Sequence, residues 1–160
     1  MVKLVPVDPS DAHARGEMVE FVNAHYRSPL GPMSEKSFAT TTFFWAVDDD
    51  GARVGCTGYV EKTRWLAESV KTVIDPAHRG RGLGAAVSQA IEDELRARGF
   101  TKVMTTIYVD NLPMIFIKLK QGYLVEGIHR DHEKPGLHEY SLGKVLGETS
   151  ESSESGAVST

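Results

Sequence analysis

Six consecutive residues carry the clearest chemical signal in the chain: Arg79, Gly80, Arg81, Gly82, Leu83 and Gly84. A β-branched run (Val70, Thr72, Val73, Ile74) leads into them, and an amphipathic pattern (Leu83, Ala86, Val87, Ala90, Ile91, Leu95) leads out. Strand, glycine-rich turn and helix together make a cradle for an anion. Glycines let the backbone approach a ligand and adopt φ > 0. The free N–H groups of the first helical turn, backed by the helix dipole, attract negative charge. Arg79 and Arg81 add positive charge. A purely structural helix start needs at most one glycine, so three glycines with two arginines favour an anion site. No Gly-Lys-Ser/Thr follows at P-loop spacing, and the order is not the G-x-G-x-x-G of a dinucleotide turn. His129, His132 and His138, with Asp131 and Glu133 beside them, match no zinc spacing, and no metal is expected. Cys56 is the single cysteine and reads as a small core residue.

The elements that must hold this cradle follow from periodicity and punctuation. Lys3 to Val7 reads as a strand. Asp8 is placed to cap a helix with Pro9 at its first position, running to about His25. Ser28-Pro29 and Gly31-Pro32 mark a loop, and Ser34 opens a short second helix. Thr41 to Val47 and Val54 to Lys62 form a hairpin about the Asp48–Gly51 turn. Trp65 to Ile74 is the strand before the cradle, and the helix after it runs from about Gly82 to Arg98, stopped by Gly99. Val103 to Val109 is a strand, Asn111 caps a helix to about Gln121, and Tyr123–His129 pairs with Leu137–Val145. Phe43, Phe44, Trp45 and Trp65 are assigned to the core, and Tyr108 and Tyr123 to packing.

The bulk properties set bounds. The 160 residues suffice for one domain with a substantial core. We expect the domain over residues 1–146 and a disordered, acidic, Ser/Glu-rich tail over 147–160. Glu148, Glu151 and Glu154 of that tail supply most of the net charge of −4, so no basic field exists to attract nucleic acid. No apolar run reaches the ~20 residues of a membrane span. A reducing, cytoplasmic setting is the simplest for a lone cysteine.

The 79–84 segment matches the R/Q-x-x-G-x-G/A element of the GNAT N-acetyltransferase superfamily. Asn111…Gln121-Gly122-Tyr123 resembles the family's second cofactor segment. The resemblance spans about Lys3 to Leu146. It implies a mixed α/β fold whose central, mostly antiparallel sheet splays at the cofactor-binding strand, with flanking helices. It also implies acetyl-coenzyme A as co-substrate. By this resemblance the backbone of Arg79, Gly80, Arg81, Gly82, Leu83 and Gly84 would hold the pyrophosphate. Thr72, Val73 and Ile74 would meet the pantetheine arm, and Asn111 would stand near it. The Ile74 N–H would stabilise an oxyanion.

Acyl transfer to an amine requires removal of a proton. Glu68 lies where some members of the family carry a glutamate base, and even spacing puts it on the face of Thr72 and Ile74 if the strand is regular. Its bland reading is a solvated strand-end carboxylate, and Glu61 is its rival. Many members carry a tyrosine, as general acid, seven residues after the asparagine; here that position is Lys118. Lys118 reads first as a solvated helix lysine, with protonation of the thiolate as the alternative role. In the family the acceptor site is built from the N-terminal helices and the last hairpin, here His25–Phe38 and Gly127–Tyr140. Both segments mix charge signs, and no strongly acidic groove is evident. The expected activity is acetyl transfer from acetyl-coenzyme A directly to a primary amine of a small molecule. The alternatives are a protein N-terminus or lysine as acceptor, and a non-catalytic coenzyme A sensor kept open by Lys118. A homodimer is compatible with the sequence.

Overall fold

The computed structural model describes residues 1–147, and the tail expected beyond Gly147 lies outside the described residues. The chain runs β1 (Lys3–Pro6), α1 (Ala12–His25), a 3-10 turn (Glu35–Ala39), β2 (Thr41–Val47), β3 (Arg53–Glu61) and β4 (Leu66–Ile74). A second 3-10 turn (Pro76–His78) follows, then α2 (Leu83–Ala97), β5 (Lys102–Tyr108), α3 (Leu112–Lys120), β6 (Leu124–His129) and β7 (Glu139–Val145). The seven strands form one sheet in the order β1-β2-β3-β4-β5-β7-β6. All pairs are antiparallel except β4 with β5. This is the mixed, mostly antiparallel architecture the sequence implied. No helix among the described residues is long and apolar enough to cross a membrane.

Alternation along β2 and β3 sends side chains to two cores. Phe43, Trp45 and Cys56 meet Met18 and Val22 of α1 on one face. Phe44 and Tyr59 meet Ile91 and Leu95 of α2 on the other, with Ile115 of α3, Tyr123 and Leu142. Val87, Ile91 and Leu95 recur at helical spacing and are fully buried. Each contributes about 1.5–3 kcal/mol through removal of apolar surface from water.

Two local expectations are corrected. Asp11, not Asp8, caps α1: its carboxylate accepts from the N–H groups of His13 and Ala14. Asp8 instead accepts from the N–H and hydroxyl of Ser10, a local turn that delays the helix by a few residues. Trp65, assigned to the core, is 45% exposed at the turn before β4, where the Arg64 guanidinium sits 4.1 Å above its ring.

The feature that shapes the site is the parting of β4 from β5. These parallel strands pair only at Leu66–Lys102, Ala67–Val103 and Glu68–Met104. A last link, the Thr105 hydroxyl donating to the Ser69 carbonyl at 3.1 Å, closes the seam. Beyond it the strands continue to Ile74 and Tyr108 without pairing. The edge so exposed is not filled by another strand.

Candidate active site

The opening between β4 and β5 is a cleft of about 370 Å3. β4 lines it with Glu68 to Val73 and β5 with Thr105 to Tyr108. Asn111, Met114 and Lys118 close one side, and Tyr26, Ser28, Leu30, Glu133 and Glu139 close another. The His25–Phe38 and Gly127–Tyr140 segments thus both contribute walls.

β4 carries a bulge within the cleft. Val70 pairs with Gly58 and Val73 with Cys56, so Lys71 and Thr72 together oppose Thr57. Lys71 takes φ of +54°, the left-handed twist that admits the extra residue. The bulge reverses the alternation of faces. Glu68 and Val73 lie on the α1 side, opposite Val60 and Cys56, while Ile74 joins the α2 side, in contact with the Val87 cluster. Thr72 is on that second side too, its hydroxyl 2.9 Å from that of Thr57. Glu68 therefore does not share a face with Thr72 and Ile74. The even-spacing argument fails because a single added residue shifts the period of two.

The glycine turn has a geometry that suits an anion. Gly80 and Gly82 take φ of +80° and +72°, where an L side chain is strained. A Cβ built at Gly80, Gly82 or Gly84 would meet nothing within 4 Å, so the turn presents open backbone. Gly82 caps α2 and has no side chain to satisfy the first N–H groups of the helix. Among the described residues the N–H groups of Gly80, Arg81 and Gly82 also find no backbone acceptor. A row of unsatisfied donors at a helix N-terminus fits a phosphate group. Arg79 contributes differently from expectation. Its guanidinium turns back to the carbonyls of Ile74 and His25, at 3.3 and 3.4 Å, and ties the turn to the end of α1.

Asn111 accepts from the Met114 N–H at 3.4 Å, capping α3 as its sequence context suggested, and it also lines the cleft. Lys118 is the larger surprise. It is 5% exposed, not solvated. Its ammonium donates to the Ser88 hydroxyl, which in turn donates to Gln121 at 2.9 Å, and it lies 4.6 Å from the centre of the Tyr123 ring. Burial draws it down to about 8, opposed by the charge of Glu92 and aided by Lys144. Glu92 is fully buried and paired to Lys144 at 2.7 Å.

Three carboxylates share the opposite end: Glu68, Glu133 and Glu139. Glu68 is ion-paired with Lys62 at 2.6 Å. Glu139 opens β7 opposite Tyr108 and is 5% exposed, with no hydrogen-bond partner at Oε2. Burial, reinforced by the charge of Glu133, raises it, with His132 and His129 opposing and Glu68 adding. Tyr26 and Tyr108 are both raised as well, chiefly by burial. The cleft as a whole keeps the mixed charge expected of it, since Lys71 and Lys118 also line it, while its carboxylates gather around Glu139. Tyr108, assigned to packing, lines it; so does Tyr26, which no motif marked. Glu139 had no sequence signal of its own, because only the β5–β7 register brings it opposite Tyr108. Of the predicted cofactor residues, Thr72, Val73 and Asn111 line the cleft with Glu68 and Lys118. Ile74 and the 79–84 turn do not line it; they continue from the end of β4. Glu61, the rival to Glu68, is not among the lining residues.

Comparisons with known proteins bear on the family and the fold. Residues 12–123 match the profile of the acetyltransferase (GNAT) family. No curated protein sequence matches the chain. Among solved structures, the ribosomal-protein-S18-alanine N-acetyltransferase of Escherichia coli superposes with a TM-score of 0.75 at 16% identity, over 95% of this chain and 98% of that one. The spermidine/spermine N-acetyltransferase of Vibrio cholerae gives 0.71 at 14% identity, over 91% and 92%. A GNAT family acetyltransferase of Elizabethkingia anophelis with acetyl-CoA bound gives 0.71 at 8% identity, over 90% and 97%. At such identities the structural likeness speaks for the fold, and the sequence profile speaks for the family. An open β4–β5 cleft, a glycine turn of free N–H groups and a profile match across most of the domain lead to one conclusion: the chain belongs to the GNAT family of acetyltransferases, with acetyl-coenzyme A as its co-substrate.

Proposed function

We propose that this N-acetyltransferase acetylates the primary amine of a small molecule. The observation that carries the reading is the acidic end of the β4–β5 cleft, where Glu68, Glu133 and Glu139 meet Tyr26 and Tyr108. A protonated amine suits such a lining, and the confined volume favours a small acceptor over a folded protein surface.

The turn of Arg79, Gly80, Arg81, Gly82, Leu83 and Gly84 would hold the pyrophosphate through backbone N–H groups. Thr72, Val73 and Ile74 would flank the pantetheine arm on β4, and Asn111 would close on it from α3. The bound co-substrate supplies an acyl group activated as a thioester. The protein's part is to align the amine, remove its proton and receive charge as the thiol departs. A carboxylate of the acidic end takes the proton. Glu68 is the candidate the sequence offers, and it lines the cleft beside its ion-pair partner Lys62. Lys118, buried at the α3 wall and drawn down to about 8, is the candidate to steady or protonate the departing thiolate.

A panel of amines assayed by thiol release tests this reading. We expect small primary amines to turn over and peptides bearing a free N-terminus or lysine to lag by at least about tenfold, the lower end of what a one-methylene misfit against a pocket wall imposes. Turnover of peptides alone would move the assignment to protein acceptors. Tight acetyl-coenzyme A binding with no thiol release on any amine would favour a sensor.

A further inference from the structure

Among the acidic groups of the cleft, Glu139 stands apart, and its chemistry narrows the class of acceptor. It is 5% exposed, and its Oε2 has no hydrogen-bond partner. Among the described residues it takes part in no ion pair, whereas Glu68 is 2.6 Å from Lys62. A buried carboxylate oxygen without a donor costs about 1–3 kcal/mol unless something satisfies it. Glu139 nevertheless lies on the cleft wall, held there by β7 between Tyr108 of β5 and His129 of β6. The groups acting on it come from every neighbouring element: Tyr26 at the end of α1, Glu68 on β4, Tyr108 on β5, His129 on β6, and His132 and Glu133 in the β6–β7 loop. Lys71 of β4 lines the cleft as well, its ammonium held 5.3 Å from the centre of the Tyr26 ring, but among the described residues no Lys or Arg is paired to Glu139, and the carboxylates of Glu68 and Glu133 favour a cation beside it.

We propose that Glu139 receives the acceptor's ammonium group and takes its proton, so that the acceptor is an amine that enters as a cation and carries no carboxylate of its own. The proposal rests on the N-acetyltransferase reading and moves the proton acceptor from Glu68 to Glu139; Glu68, neutralised by Lys62, becomes a wall of the site. The balance is simple. The ammonium gives one proton to the Glu139 carboxylate and becomes a free amine. Its nitrogen forms the new C–N bond as the C–S bond breaks, and its second proton ends on the departing thiolate. Glu139 then returns its proton to water. A carboxylate raised by burial suits this task, because the gap to an ammonium is narrowed.

The test uses the full chain saturated with coenzyme A and two amines of matched reach, pentylamine and 6-aminohexanoate. Calorimetry is expected to show pentylamine binding at least about tenfold more tightly, since the second amine adds a carboxylate to the acidic end of the cleft. Glu139→Gln should cut pentylamine affinity by about tenfold or more while its melting temperature stays at or above wild type. Glu133→Gln, at an exposed position, should cut affinity by a few-fold. In turnover with acetyl-coenzyme A, Glu139→Gln should lose about 10²-fold at neutral pH and recover as the solution deprotonates the amine. The loss in Glu68→Gln should be smaller. Glu20→Gln, exposed on α1 and away from the cleft, serves as the control. Preference for 6-aminohexanoate, no amine binding at all, or a Glu139→Gln variant equal to wild type in binding and rate would overturn the proposal. Glu139-dependent binding of pentylamine without turnover of any amine would uphold the subsite and sink the acetyl-transfer reading instead.

Discussion

At the scale of single residues, Lys118 shows how one position can weigh on stability and chemistry in opposite directions. Its burial beside Ser88 and Tyr123 lowers it from 10.5 to about 8, because a charged ammonium is poorly solvated there. The sign follows from proton counts. Between pH 8 and 10.5 the unfolded chain binds a proton at this lysine that the folded chain does not, so stability rises with pH across that window. Below pH 8 the full penalty remains, on the order of 3 kcal/mol. We therefore expect Lys118→Met to be more stable than wild type at pH 7 by about 1–3 kcal/mol and to lack the rise above pH 8. Urea denaturation at pH 7 and pH 10 measures both. The same variant should lose about 10²-fold in kcat if the ammonium serves the departing thiolate. A variant that is less stable at pH 7 and equally active would remove both roles. The sequence placed Lys118 at the right position on the helix, seven residues after Asn111, but not at the right depth. Depth depends on Ser88 of α2 and Tyr123 after α3, which no local pattern connects to it.

At the scale of elements, the β4–turn–α2 unit was the most legible part of the chain, because each of its signals is local. Branched residues, a proline, three glycines and an amphipathic repeat act within a few residues of one another. One substitution separates its two functions. Gly84 has an ordinary backbone conformation, unlike Gly80 and Gly82, and a Cβ there meets open space. Gly84→Glu should therefore fold without strain. Helix propensity and a favourable meeting of negative charge with the helix N-terminus should together stabilise it by about 0.5–1.5 kcal/mol. The same charge occupies the phosphate cradle, so coenzyme A binding should fall by more than about 10²-fold, the cost of like charge held close. Calorimetry for binding and thermal melts for stability would read the two effects independently; unchanged affinity would displace the pyrophosphate from this turn. The bulge in β4 is the counter-example. Nothing in Val70-Lys71-Thr72 marks the extra residue, and it arises from the pairing of β4 with β3.

For the whole molecule, ligand binding should be visible as stability. The sheet is continuous except where β4 and β5 part, and a co-substrate lodged there bridges strands that are otherwise bonded to each other only from Leu66 to Ser69. Acetyl-coenzyme A at 100 times its Kd should add about 2.7 kcal/mol, or roughly 5–10 °C in melting temperature for a chain of this size. At the same concentration the gain should fall to about 0.4 kcal/mol or less in Gly84→Glu. A melt unaffected by acetyl-coenzyme A in the native chain would contradict the cleft as its binding site. The acidic end of the cleft also belongs to this scale. It gathers Tyr26 from the end of α1, Glu68 from β4, Tyr108 from β5 and Glu139 from β7, four elements spread across more than a hundred residues of chain.

The amino-acid sequence alone determined the order of elements, the glycine turn with its free N–H groups and the family resemblance. Those rest on short-range sterics, caps and unsatisfied donors, which a few neighbouring residues specify. It did not determine which face of β4 Glu68 would occupy, the burial of Lys118 or the position of Glu139 beside Tyr108. These depend on strand register and on helices packing across the sheet, where residues far apart in the chain meet. A one-residue bulge is enough to reverse a face, and only the folded sheet reveals it.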